Sequence, residues 1–157
     1  MSVSIKISRN NVYEDICVTS HTEVAPIVDD RERYLAEAGT EKAELIHQCI
    51  TDALTEMDAL LRPLLTFTDS NREDTTEDLY DGTSDTTYSL AVTGRKSPGL
   101  AAALVKAVHA YVVDSAMDKF YLAVNRSDLA EKHSAKLPSE INVINRLIYT
   151  KYNPSYQ

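Results

Sequence analysis

The sequence predicts a mainly α-helical fold, a bundle of three to four helices around a long central helix at about residues 98–124, with a small β element. Three observations support this fold class. The central stretch is apolar around most of its circumference, which is typical of a helix buried on several sides. The segments before and after it repeat apolar residues at helical spacing, and two short segments alternate apolar and polar residues as strands do.

The central helix has a clear predicted start. Ser97 is placed as its N-cap and Pro98 at its first position, where the missing N–H of proline costs nothing. It is not expected to cross a membrane, because Lys106, Asp114 and Asp118 interrupt its apolar surface.

The two alternating segments lie near residues 2–8 and 87–93 and predict a small sheet, formed by these strands together or with neighbouring subunits. Either Asn10 or Asn11 is expected to cap a short first helix that runs to about Ser20.

Three further helices follow from caps and apolar spacing. Asp29 and Asp30 are expected at the start of one helix, where acidic groups face the positive end of the helix dipole. Ser127 is expected to cap the last helical segment, and Pro138 to kink or restart it. The strongest pattern covers residues 40–62, with its apolar stripe at Ile46, Cys49, Ile50, Ala53, Leu54, Met57, Leu60, Leu61 and Leu64.

Length and charge narrow the functional classes. The 157 residues predict one domain, 1–157, with a formal net charge of −8 and a pI of about 4.9. Such a charge disfavours a protein that binds nucleic acid by neutralising phosphates. The start of the chain lacks an apolar signal segment, so synthesis in a reducing cytoplasm is expected. Cys17 and Cys49 are then interpreted as two buried thiols, with a disulfide or metal pair as the alternative.

An acidic loop is predicted at residues 67–87, with seven acidic side chains against Arg72 alone. It does not fit a calcium-binding EF-hand, because alignment on Gly82 places Tyr88 where the bidentate glutamate belongs. The loop is interpreted as solvated, or as a segment that becomes ordered on meeting a partner. A tyrosine-rich tail at 150–157 is also expected to reach partners.

No catalytic, cofactor-binding or metal-binding site is predicted. Glu44 and His47 have the Glu-x-x-His spacing of di-iron bundles, but the second copy that such a site requires is missing from the sequence. Residues 94–99 lack the spacing of a phosphate-binding loop. His109 lies among apolar neighbours and is interpreted as a core or interface histidine.

Subunit contacts are the one property that the sequence favours beyond the fold. The central helix has more apolar circumference than so small a domain can readily cover, and aromatic residues accumulate in the C-terminal half. Excess apolar and aromatic surface is typical of subunit interfaces. The predicted interface residues are Tyr88, Tyr121, Tyr149, Tyr152 and Tyr156.

The order of these elements resembles the head–tail connector (neck or adaptor) proteins of tailed bacteriophages. The resemblance lies in the segments at 12–16, 44–65 and 104–113, and in the helix at 127–152 with its late Arg146. It covers most of the chain as a pattern of helices and apolar spacing. The acidic loop and Pro138 depart from that pattern.

The resemblance implies a structural protein of the virion without enzyme activity or cofactor. Copies would be made in the host cytoplasm and would form a ring, with twelve subunits as in that family, at the head–tail junction. The portal protein and tail or other neck proteins would be its partners, with no membrane. DNA would pass through the ring without specific binding, which the net charge of −8 would favour.

Two alternatives from other classes remain open on the sequence alone. One is a small helical-bundle metalloprotein or enzyme built around Glu44, His47 and His109. The other is a cellular adaptor that binds one protein partner through the acidic loop.

Overall fold

A computed structural model describes residues 2–64, 85–91 and 99–149 of the chain. These ranges form two strands and six α-helices, and 3-10 turns at Thr40–Lys42 and Arg62–Leu64 flank α3. The predicted mainly helical fold class with a small sheet is confirmed. The elements, in chain order, are β1 (Ser2–Ile7), α1 (Arg9–Val24), α2 (Asp30–Ala36), α3 (Ala43–Leu61), β2 (Thr86–Ala91), α4 (Leu100–Ala123), α5 (Ser127–Ser134) and α6 (Leu137–Tyr149).

Several sequence predictions fall outside the described residues. They are the predicted cap Ser97, the acidic loop up to residue 84, and the tail at 150–157 with Tyr152 and Tyr156. The last residues assigned to that loop are described, and Thr86 and Thr87 belong to β2 rather than to a loop.

The central helix α4 organises the fold. Its 24 residues span about 36 Å, and it packs against α1, α3, α5, α6 and β1. Among the described helices, α4 is long and apolar enough by length and composition to cross a membrane. Core helices meet the same criterion, and α4 packs against five other elements here. Its buried side chains are Leu100, Leu104, Val108, Tyr111, Val112, Ser115, Ala116, Met117, Phe120 and Tyr121.

Both ends of α4 use left-handed residues. The helix begins at Leu100, two residues later than predicted, because Gly99 adopts φ 75° and serves as its N-cap. At the other end Asn125 has φ 62°. The Arg126 N–H donates to the Tyr121 carbonyl at 2.8 Å, the bond that defines a Schellman motif. This tight ending turns the chain directly into α5.

The sheet covers one side of α4. β1 and β2 pair antiparallel, with Val3 opposite Leu90 and Ile5 opposite Tyr88. These four side chains are buried, whereas Lys6 faces away from the core. The prediction that the two strands pair with each other is confirmed, and the second strand begins one residue earlier than expected.

Several helix boundaries differ from the predictions. Ser8, rather than Asn10 or Asn11, caps α1, because its Oγ accepts a hydrogen bond from the Asn11 N–H at 3.2 Å. α1 continues past Ser20, whose buried hydroxyl accepts the Ala38 N–H at 2.8 Å.

Of the other predicted helix starts, some are confirmed and one is wrong. Asp29 caps α2 as predicted, accepting the Glu32 N–H at 3.0 Å. Arg126, not Ser127, is the N-cap of α5. The predicted restart at Pro138 is confirmed, since Pro138 is the second residue of α6.

The packing of α4 predicts a sharp contrast within one helix. Leu104→Ala should lower the free energy of unfolding by about 3 kcal/mol, because Leu104 is fully buried and truncation leaves a cavity. Leu122→Ala is the matched control, since Leu122 is 55% exposed, and should cost less than about 0.5 kcal/mol. Urea denaturation measures both. Equal losses would show that α4 is not buried on the side assigned here.

Candidate functional site

The sequence motif Glu44/His47 does not form a site. Glu44 is exposed, whereas His47 is buried and stacks on Tyr13 with ring centroids 4.7 Å apart. The His47 carbonyl also accepts a hydrogen bond from Arg9 at 3.1 Å, which ties the start of α1 to α3. Within the ranges 2–64, 85–91 and 99–149, no group of three or more His, Cys, Asp or Glu side chains is arranged to hold a metal ion.

The sequence also drew attention to His109, Cys17 and Cys49. His109 lies on α4, and its Nε2 is 2.6 Å from Oδ2 of Asp15 on α1. Cys17 and Cys49 are free thiols. Cys49 is buried, as expected, and burial raises the pKa of its thiol to about 11; Cys17 is only partly buried.

The tyrosines predicted at an interface that the structure describes differ in burial. Tyr88 and Tyr121 are fully buried within the subunit, so neither ring presents surface to a partner. Their hydroxyls donate inward, from Tyr88 to Asp58 at 2.6 Å and from Tyr121 to Glu23 at 3.0 Å. We therefore reassign both rings to the core. Tyr149 is 52% exposed at the end of α6.

A buried polar network is the most unusual feature of the core. His133 on α5 is 1% exposed and lies between two carboxylates. Its Nδ1 is 2.6 Å from Oδ1 of Asp114 on α4, and its Nε2 is 2.8 and 2.9 Å from the two oxygens of Glu23 on α1. The Tyr121 ring stacks beside His133 with centroids 5.8 Å apart. Three helices thus meet at one imidazole.

The geometry fixes the protonation of this network. Each ring nitrogen faces a carboxylate oxygen, which accepts but cannot donate when ionised, so each nitrogen must have its own hydrogen. Burial alone would lower the pKa of His133, but its hydrogen bonds to Asp114 and Glu23 outweigh burial and raise the pKa. Burial would likewise raise the pKa of Asp114, but hydrogen bonds to His133 and Glu140 lower it. The network is therefore interpreted as an imidazolium between carboxylates.

Glu140, in the first turn of α6, lies beside Asp114. Both of its carboxyl oxygens are buried, and neither accepts a hydrogen bond from a donor among the described residues. Two carboxylates can bond to each other only through a proton, and burial together with Asp114 raises the pKa of Glu140 to about 8. Glu140 is therefore protonated at neutral pH.

A second polar cluster joins α3 to α4. Glu56 accepts hydrogen bonds from Ser115 at 2.8 Å, from Tyr111 at 3.3 Å and from Lys119. Burial would raise the pKa of Glu56, but the bonds from Lys119 and Ser115 lower it. Both clusters join side chains of different helices, so both are interpreted as ties between helices.

The exposed side of α6 presents polar and aromatic side chains. An open, shallow groove there is lined by Asn142, Asn145, Arg146 and Tyr149. These residues recur at spacings of three and four and so lie on one face of the helix. Arginine and tyrosine are residues that protein interfaces favour.

Comparison with known proteins assigns neither a family nor a function to this chain. No protein-family model, no curated protein sequence and no solved structure matches the chain.

The His133 network predicts a large effect for a conservative change. His133→Gln should lower the free energy of unfolding at pH 7 by about 3 kcal/mol, because it leaves two nearly buried carboxylates without the cation between them. His109→Gln is the matched control and should cost less than about 1 kcal/mol, since its partner Asp15 is 58% exposed. Urea denaturation of both variants checks this, and equal costs would contradict the network.

Proposed function

We propose that this protein is a structural subunit of a tailed-bacteriophage virion, a head–tail connector that assembles into a ring between the portal and the tail. The resemblance in element order supports the proposal. α1, the long α3, the central α4 and the broken pair α5–α6 follow one another in the order that the resembling family led us to expect. The proposed role is not enzymatic and needs no cofactor or metal.

The observation that carries the proposal is that two unlike exposed surfaces lie on different helices. One is the α6 face with Arg146 and Tyr149. The other surrounds α2, where Val28 is 91% exposed, Tyr34 54% and Leu35 51%, beside acidic Asp29, Asp30 and Glu32. A closed ring needs two different surfaces on each subunit, joined head to tail. Arg146 and Tyr149 on one face can meet the exposed apolar side chains of the other, where Arg33 pairs with Asp30 and Arg31 is also exposed, so the contact would be mainly apolar and aromatic.

The net charge fits the proposed place in the particle. At −8, the subunit repels the phosphate backbone rather than binding it. A ring of such subunits, twelve in the expected form, would let DNA pass without adhesion. The portal protein and tail or neck proteins would contact the two ends of the ring.

Mixing two variants tests the head-to-tail ring. Arg146→Glu should disable the α6 face, and Leu35→Glu should disable the α2 face, so each variant alone should remain monomeric. Their mixture should form a heterodimer, because each retains the surface that the other lacks. Size-exclusion chromatography with light scattering measures the masses.

The control is Lys132→Glu on α5, an exposed charge reversal away from both faces, which should assemble like the unaltered protein. Circular dichroism should show unchanged helix content in all three variants. Wild-type protein that stays monomeric at high concentration, or rings formed by Arg146→Glu, would contradict the two-surface model.

The place in the particle has its own test. Tagged protein should be labelled in purified tailed particles at the junction of head and tail. Protein abundant in the lysate but absent from particles would overturn the connector proposal, and the adaptor or metalloprotein alternatives would then lead.

A further inference from the structure

The attachment of α6 to the bundle combines apolar and ionisable contacts. Ile144 and Ile148 bury the inner face of α6 against the core. One turn earlier, the buried carboxyl group of Glu140 meets Asp114 of α4. The same Asp114 accepts the Nδ1 hydrogen of His133 on α5. The first turn of α6 is therefore held by a group whose charge depends on pH.

The charged and titratable groups around Glu140 come from every element nearby. From α4 these are Asp114 and Tyr111, and Tyr111 donates in turn to Glu56 of α3. Lys136, between α5 and α6, favours ionisation of Glu140 but does not offset burial and Asp114.

Around His133, the facing groups are Glu23 of α1 and Asp114, Asp118 and Tyr121 of α4. Glu23 and Asp114 thus bond to one imidazole ring, and the third carboxyl group, Glu140, lies beside Asp114. If all three were ionised, the cluster would have an excess of two negative charges.

We propose that Glu140, Asp114, His133 and Glu23 form a proton-operated clasp that holds α6 on the bundle and releases it when Glu140 loses its proton. Ionised Glu140 would face ionised Asp114 without a donor between them, and the repulsion would act on the first turn of α6. Release would expose the apolar face of α6 to a partner. The inference stands apart from the proposed function, since it concerns the chain in isolation.

The direction of the pH dependence follows from the two states of Glu140. Unfolded, its carboxyl has a pKa of about 4.3, and in the fold burial and Asp114 raise the pKa to about 8. Between these values the folded state holds a proton that the unfolded state has lost, so stability falls as pH rises.

The other members of the cluster set the limits of the clasp. The raised pKa of His133 gives stability that is complete below about pH 6.5 and is lost as pH rises through the folded value. The lowered pKa of Asp114 gives stability that is lost only below about pH 4. The clasp is therefore strongest at mildly acidic pH and opens in alkali.

Hydrogen exchange on the full chain tests the clasp. After correction for the intrinsic base-catalysed rate, the opening constant of the α6 amides should rise by up to about tenfold per pH unit from about pH 6 to the pKa of Glu140 near 8, because opening releases the clasp proton in this range, and should level off above it. The amides in the middle of α3 should show no such rise. Exchange should be followed from about pH 6 to pH 9.5.

Glu140→Gln supplies the matched test. Its amide cannot ionise and can still donate to Asp114, so the opening constant of α6 should rise much less over this pH range than in the wild type, with only the titration of His133 remaining. Glu44→Gln, at an exposed position of α3, is the control and should keep the wild-type pH dependence.

Carbon-13 NMR of the glutamate carboxyl groups in the wild-type protein gives a measurement that needs no variant. One glutamate should titrate near pH 8, well above the others. Ordinary titration of every glutamate, pH-independent exchange of α6 in the wild type, or retained pH dependence in a folded Glu140→Gln variant would each overturn the proposal.

Discussion

A histidine ring between two carboxylates can bond to both only if it has two protons, and this constraint ties the bundle together. His133 brings Glu23 of α1 and Asp114 of α4 to one point on α5. These partners lie 110 and 19 residues away along the chain. Breaking such a buried arrangement leaves unpaired charge inside the protein, which costs more than the loss of a surface ion pair. The helices around it can therefore pack in few other ways.

Much of the fold could be predicted from the sequence, because periodicity reports directly on burial. The all-round apolar character of α4 and the alternation in β1 indicated their places correctly. Boundaries were less accurate where several residues could serve as cap. Ser8 competed with two asparagines, and Gly99 started α4 through its backbone conformation rather than through a side chain.

The polar network could not be assembled from the sequence. Asp114 was visible only as a charge that interrupts an apolar helix, and no sequence motif singled out His133. Pairing them requires the Schellman ending of α4, which folds α5 back along it. Likewise, a buried Tyr121 and an exposed Tyr149 have the same sequence signal, because aromatic residues serve cores and interfaces equally well.

The network keeps His133, Asp114, Glu23 and Glu140 away from the outer faces of α2 and α6, the two surfaces proposed to contact partners. The description of this network depends on His133 being an imidazolium. Nitrogen-15 NMR of the His133 ring tests it most directly: the account predicts two protonated nitrogens at pH 7, which persist above the ordinary histidine pKa of about 6.5. A neutral ring with a single proton at pH 7 would contradict it.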